Sequence, residues 1–161
     1  MKELREAFER ALAEPGAIDA AIEVAQAFLA AHERHPVTMA YMGSLAGLKA
    51  SAATLPWVKL GYANDAAALL DAAYERRHEI AGAATDGEPE GELVILLLRG
   101  IAYANFPPFL GRAEAARECL EQATRHFALC GIPAVYRTLA FSHLAGLHRH
   151  ALDPEIKSQA S

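Results

Sequence analysis

Proline and glycine break this chain into seven stretches of helical length, and none of them alternates apolar and polar residues as a half-buried strand would. Pro15-Gly16 closes the first stretch and Pro36 opens the third. Asp86-Gly87-Glu88-Pro89 separates the fourth from the fifth, and Gly131-Ile132-Pro133 separates the last two. The punctuation predicts helices over about 2–14, 18–33, 37–53, 63–80, 90–105, 112–129 and 134–151. Ala and Leu predominate over Val, Ile and Thr, and unbranched side chains lose little rotamer freedom in a helix. An all-α protein is therefore expected.

Short connections oblige successive helices to run antiparallel, which gives αα-hairpins, each with an apolar face that only its neighbour can cover. The 161 residues suffice for one domain with a sizeable core. That domain is expected over 1–151, with hairpins at about 2–33, 37–80 and 90–129, a capping helix over 134–151 and a flexible tail over 152–161. Repetition supports a solenoid of such hairpins. Leu60 to Ala73 aligns without a gap on Leu110 to Ala123, with six identities. Four of them, Ala63/Ala113, Ala66/Ala116, Leu70/Leu120 and Ala73/Ala123, follow one stripe of a helix.

These residues resemble the tetratricopeptide repeats, whose second helix carries Ala, a large apolar residue four later and Ala three after that. Ala66-Leu70-Ala73 and Ala116-Leu120-Ala123 fit. Val24-Phe28-Ala31 fits with one substitution, and Pro36 follows where the family closes a repeat. Gly100 and Tyr103 match the glycine and aromatic of the family's first helix, whereas Gly43 is followed by Ala46. The distances from Gly43 to Ala66 and from Gly100 to Ala116 exceed those of a regular repeat, as if the corners carried insertions. The chain is similar to the small stand-alone bacterial members of this family. The resemblance implies a concave surface lined by first helices, here Val37, Ala40, Ser44, Gly47 and Leu48 with Val94, Leu97, Ile101, Ala104 and Asn105. The Lys, Arg and Asn clamp with which some members hold a C-terminal carboxylate is missing except for Asn105. An apolar groove of this kind accepts a partner's segment, or the chain's own last helix through Val135, Leu139, Leu144 and Leu147.

The function expected from all this is a non-catalytic adaptor or scaffold that binds a peptide, helix or protein surface through Tyr41, Tyr62, Arg99, Tyr103 and Asn105. Trp57, Phe106 and Phe109 would stand at its edge. The two proline-stiffened corners, Leu55 to Lys59 and Phe106 to Phe109, either form a recognition ledge or tuck under as small cores. Arg99 follows six apolar residues and either snorkels outward, pairs with a carboxylate such as Asp65, Asp71 or Glu92, or awaits an anionic ligand. Alternative readings are a small-molecule or metal pocket closed by the last helix, and a structural homodimer.

Other classes find little support. The net charge of −5, with no Lys/Arg stripe, offers nothing to a phosphate backbone, so nucleic acid is not an expected partner. The charged N-terminus lacks a secretory signal, and the longest apolar run, Leu93 to Leu98, is far too short for a membrane span, so a cytoplasmic protein is expected. Cys119 and Cys130 would lie about 16 Å apart on a continuous helix, too far for a disulfide. His32 and His35, and His143, His148 and His150, have helical spacing but no carboxylate in register; they read as surface or capping residues, with no metal or cofactor expected. No nucleophile elbow, phosphate loop or zinc-hydrolase helix occurs, so no catalytic residue is assigned.

Overall fold

A computed structural model describes residues 1–32, 34–80, 90–126 and 132–159. Among them the chain forms α1 (Lys2–Ala13), α2 (Ile18–Ala31), α3 (Pro36–Ala52), α4 (Pro56–Glu75), α5 (Gly91–Ala104), α6 (Ala113–His126) and α7 (Ala134–Gln159), and no strand. The expected all-α class is what forms. Single 3-10 turns at Pro15–Ala17, Arg77–Ile80 and Pro108–Leu110 tighten three connections.

Two helices occupy the centre. α3 buries twelve of its seventeen residues and α5 nine of its fourteen, as befits helices apolar nearly all round. Leu93 to Leu98 is thus a wholly enclosed segment. α3 packs against α1, α2, α4 and α5, while α5 also meets α4, α6 and α7. α1 is amphipathic and turns Leu4, Phe8 and Ala11 inward.

The pairs α3/α4 and α5/α6 are closed by the same contact. A Cβ on Gly43 would sit 2.8 Å from Leu70 Cγ and 3.2 Å from the Ala66 carbonyl oxygen; one on Gly100 would sit 2.7 Å from Leu120 Cγ and 3.3 Å from the Ala116 carbonyl oxygen. Glycine is required at both places because the second helix presses its backbone and leucine onto the first. Ala66, Leu70, Ala73, Ala116, Leu120 and Ala123 are all fully buried. The identities preceding them are not equivalent. Ala63 is buried and Ala113 exposed; Gly61 lies within α4, while Gly111 takes a left-handed φ of 64° before α6. In the first pair the buried stripe of α2 is Ile18, Ala21 and Ala25, leaving Val24 and Phe28 half-buried.

Two boundaries differ from expectation. α4 begins at Pro56, so Leu55 to Lys59 is the helix's first turn rather than an inserted corner; it ends at Glu75 with a 3-10 turn beyond. The cause is Pro56 at the first helical position, where its fixed φ favours helix, preceded by an extended Leu55 with ψ 127°. α7 continues to Gln159, through the stretch expected to be a tail over 152–161; Glu155, Lys157 and Gln159 are good helix formers. Cys130 lies outside the described residues, and among those described no helix is long and apolar enough to cross a membrane.

Candidate functional site

The residues singled out in the sequence fall into three places. The first is a polar knot where α4, α5 and α6 meet. Arg99, though only 9% exposed, donates from Nε (3.1 Å) and Nη2 (2.8 Å) to Asp71 Oδ1, which also accepts the Tyr103 hydroxyl at 2.6 Å. Asp71 Oδ2 accepts Arg112 Nη1 at 3.0 Å. The remaining Arg99 arm donates to Cys119 Sγ at 3.0 Å, and its guanidinium lies over the rings of Tyr74 (4.2 Å) and Tyr103 (4.9 Å). Arg77 stacks on Tyr74 and reaches Glu92 at 3.5 Å.

Burial would raise the Asp71 pKa, but the hydrogen bonds from Tyr103 and Arg99 and the charges of Arg99 and Arg112 outweigh it and hold the carboxyl below its usual range. Burial and the neighbouring Asp71 push the Tyr103 phenol up. The Cys119 thiol is raised by burial despite the guanidinium beside it. All three nitrogens of the Arg99 guanidinium are already turned on Asp71 or Cys119. Of the three readings of Arg99, pairing is what occurs, and Arg99 and Tyr103 hold the fold together instead of facing a ligand. Asp71 was visible in the sequence as a possible partner, whereas Arg112 was missed.

The second place is the groove between first helices. Ser44 Oγ donates to the Leu98 carbonyl (3.5 Å), and Gly47 lies beside Ala102, so α3 and α5 run in the same direction, side by side. One half of this groove is core. Val37, Ala40, Val94 and Leu97 are at most 8% exposed, so they cannot serve as the binding surface expected of them. Tyr41 is likewise buried, its ring edge-on to Phe8 at 5.4 Å. α7 covers this half with Tyr136, stacked on Phe8 at 6.2 Å, and with Ala140. Burial raises the Tyr136 phenol pKa, as do Tyr41 and Glu9 beside it. The last helix therefore folds into the groove through Tyr136 and Leu139, while Ala140, Leu144 and Leu147 pack against the core and Val135 is left exposed.

The other half of the groove remains open as a cavity of about 110 Å³. Ser44, Gly47 and Leu48 of α3 and Leu98, Ile101 and Ala102 of α5 form its walls, with Phe8 and Leu12 of α1, Tyr136 and Leu139 of α7, and Ser51, Asn105 and Phe106 completing it. Gly47 differs from Gly43. A Cβ there would make only ordinary contacts, 3.8 Å to Phe106 and 3.9 Å to Ala102, so helix packing does not require glycine. A glycine inside a helix costs roughly 0.5–1 kcal/mol relative to alanine. At the rim, Asn105 Nδ2 donates to the Ile101 carbonyl (3.0 Å) and lies 3.4 Å from His143 Nε2.

The third place is the end of the bundle where α3 and α5 finish. Because these helices are parallel, the turns that follow them share that end. Trp57 in the first turn of α4 is 69% exposed, Leu55 before it 47% and Phe109 before α6 76%. Phe106 is half-buried instead, at 5.2 Å from the Tyr103 ring, so one corner aromatic tucks in while two stand out. Tyr62, further along α4, lines a hollow at this end with Leu55 and Val58 and lies 5.3 Å from Lys49 Nζ, which is bound to Asp19 at 2.9 Å. Among the described residues no three His, Cys, Asp or Glu side chains gather as a metal site.

No protein-family model, curated protein or solved structure matches the chain.

Proposed function

We propose that the chain is a non-catalytic, cytoplasmic binding scaffold of the tetratricopeptide type that engages a protein or peptide partner. What carries this reading is the exposure of Leu55, Trp57 and Phe109 at one end of two hairpins closed by the same glycine–leucine contact. Large aromatics offer contact area at low entropy cost and dominate the energetics of protein interfaces. In a small domain such residues are ordinarily buried, and these stand outward on proline-started turns that no helix among the described residues covers. The likeness of the Gly43/Leu70 and Gly100/Leu120 contacts to those within a tetratricopeptide hairpin supports the assignment of type. The partner-binding surface is accordingly the end of the array, because α7 fills half of the groove between first helices.

The test is native mass spectrometry of untagged protein purified from its own host, alongside the double variant Trp57→Ser/Phe109→Ser. A polypeptide that accompanies the wild type and is lost from the variant is the expected result. Circular dichroism of the variant should stay helical and its unfolding free energy should lie within about 0.5 kcal/mol of wild type, as for other exposed positions. A companion bound equally by both proteins, or a bare monomer or dimer from the host, would refute the reading.

A further inference from the structure

We propose that the cavity between α1, α3, α5 and α7 is a binding site for a small neutral amphiphile, a short-chain alcohol or a molecule of that shape and polarity. Its apolar body would lie between Gly47 and Ile101, with its polar head at the rim beside Ser51 and Asn105.

Volume sets the size. Apolar cavities of about 150 Å³ take up benzene, and the present cavity of about 110 Å³ therefore admits an alkyl body of roughly four or five carbons. The wall sets the polarity. None of the thirteen lining residues carries a formal charge, and a charged group brought inside would lose its hydration without a counterion. The rim is neutral as well: burial lowers the pKa of His143, the ring against Asn105, which leaves it uncharged at neutral pH. Ser51 and Asn105 are exposed and mark the mouth, where a hydroxyl finds both donors and acceptors.

Gly47 is the second, independent observation. Its missing side chain is demanded neither by the backbone of α3, which is helical there, nor by a neighbour, since the nearest atoms leave room for a methyl group. The effect of glycine at this position is to keep the space beside Phe106 and Ala102 open. Ser44, 5% exposed on the same wall, makes only a long 3.5 Å hydrogen bond to Leu98, so its hydroxyl can also turn to a guest.

The site is tested by titrating 15N-labelled protein with 1-pentanol and, separately, with pentanoate at pH 7. Saturable shifts of the Ser44, Gly47, Ile101 and Asn105 amides with pentanol are expected, with pentanoate at least tenfold weaker. Gly47→Leu, whose isobutyl group occupies the cavity, should weaken pentanol at least tenfold while keeping a dispersed spectrum. Should that variant not fold, Ile101→Phe fills the space from the opposite wall and should have the same effect. Shifts that never saturate, shifts elsewhere in the chain, or equal binding by the filled variant would overturn the proposal. Equal affinity for pentanoate would overturn its restriction to neutral ligands. None of these results depends on the protein partner, since the titration is made on the isolated protein and the variants leave Leu55, Trp57 and Phe109 unchanged.

Discussion

Asp71→Ala is expected to lower the unfolding free energy by about 2–4 kcal/mol. Removing one member of a wholly buried ion pair costs roughly 3–5 kcal/mol because it strands the other charge; here the Asp71 side chain keeps 34% of its exposure, which softens the loss. Arg99 is the group stranded. Deprived of Asp71 it keeps one thiol and two aromatic faces, while the Tyr103 hydroxyl keeps only the Ala67 carbonyl at 3.2 Å. The same carboxylate joins α4 to α5 through Arg99 and Tyr103 and approaches α6 through Arg112, so its loss loosens the second hairpin from the third. Urea denaturation at pH 7 measures the cost.

The direction of the pH dependence follows from the depressed Asp71 pKa. A carboxyl held below its unfolded value, about 3.9, contributes stability that is fully present above that value and is lost as the pH falls through it toward the folded pKa. The gap in stability between wild type and Asp71→Asn should be wide at pH 7 and narrower at pH 3. A gap unchanged between the two would mean that the charge of Asp71 contributes nothing and that shape alone holds the knot.

How far the chain could be read in advance depended on whether a feature was local. Pro36, Pro15-Gly16 and Pro133 announced helix limits correctly because a proline's fixed φ and missing N–H act within one turn. Pro56 has the same property, yet beside Trp57 it looked like part of an inserted corner. The Ala66-Leu70-Ala73 and Ala116-Leu120-Ala123 stripes were legible because burial repeats with the helical period. The residues ahead of them were not, since a letter match at Gly61 and Gly111 conceals opposite backbone conformations.

The site was less legible for a different reason. Tyr41, Arg99 and Tyr103 have the chemistry of a recognition surface, and only the packing of α7 and the placement of Asp71 show that they face inward. Nothing in the sequence couples Phe8 to Tyr136 or Arg112 to Asp71, because each pair joins helices far apart in the chain. The exposed aromatics were the reverse case. Trp57 and Phe109 could have been either small cores or a ledge, and what decided between them was the absence of any helix, among those described, lying over the turns that carry them.

Leu120→Ala should cost about 2–5 kcal/mol, as truncation of fully buried leucines does, and Gly100 makes that expectation specific. In the wild type, Gly100→Ala drives a methyl group to 2.7 Å from two Leu120 carbons and 3.3 Å from the Ala116 carbonyl oxygen, and Leu120, with no exposure, has nowhere to move. Overpacking of this kind costs about 1–3 kcal/mol, against a gain of up to about 1 kcal/mol for alanine over glycine within a helix. The single Gly100→Ala variant should therefore be destabilised. In the Leu120→Ala background both Leu120 carbons are gone and only the Ala116 carbonyl oxygen at 3.3 Å stays close, so the new methyl group fills part of the cavity and most of the helix gain survives. Gly100→Ala should then stabilise, and the double-mutant cycle should show a coupling of at least 1 kcal/mol, within the range found for residues in contact. Gly43 meets Leu70 Cγ at 2.8 Å, but the Ala66 carbonyl oxygen and Leu69 Cβ, each at 3.2 Å, stay in place when Leu70 is truncated, so there Gly43→Ala should become less destabilising without changing sign. Two simple, additive destabilisations at either pair would mean that the helices do not meet there, and the equivalence of the second and third hairpins would fall with them.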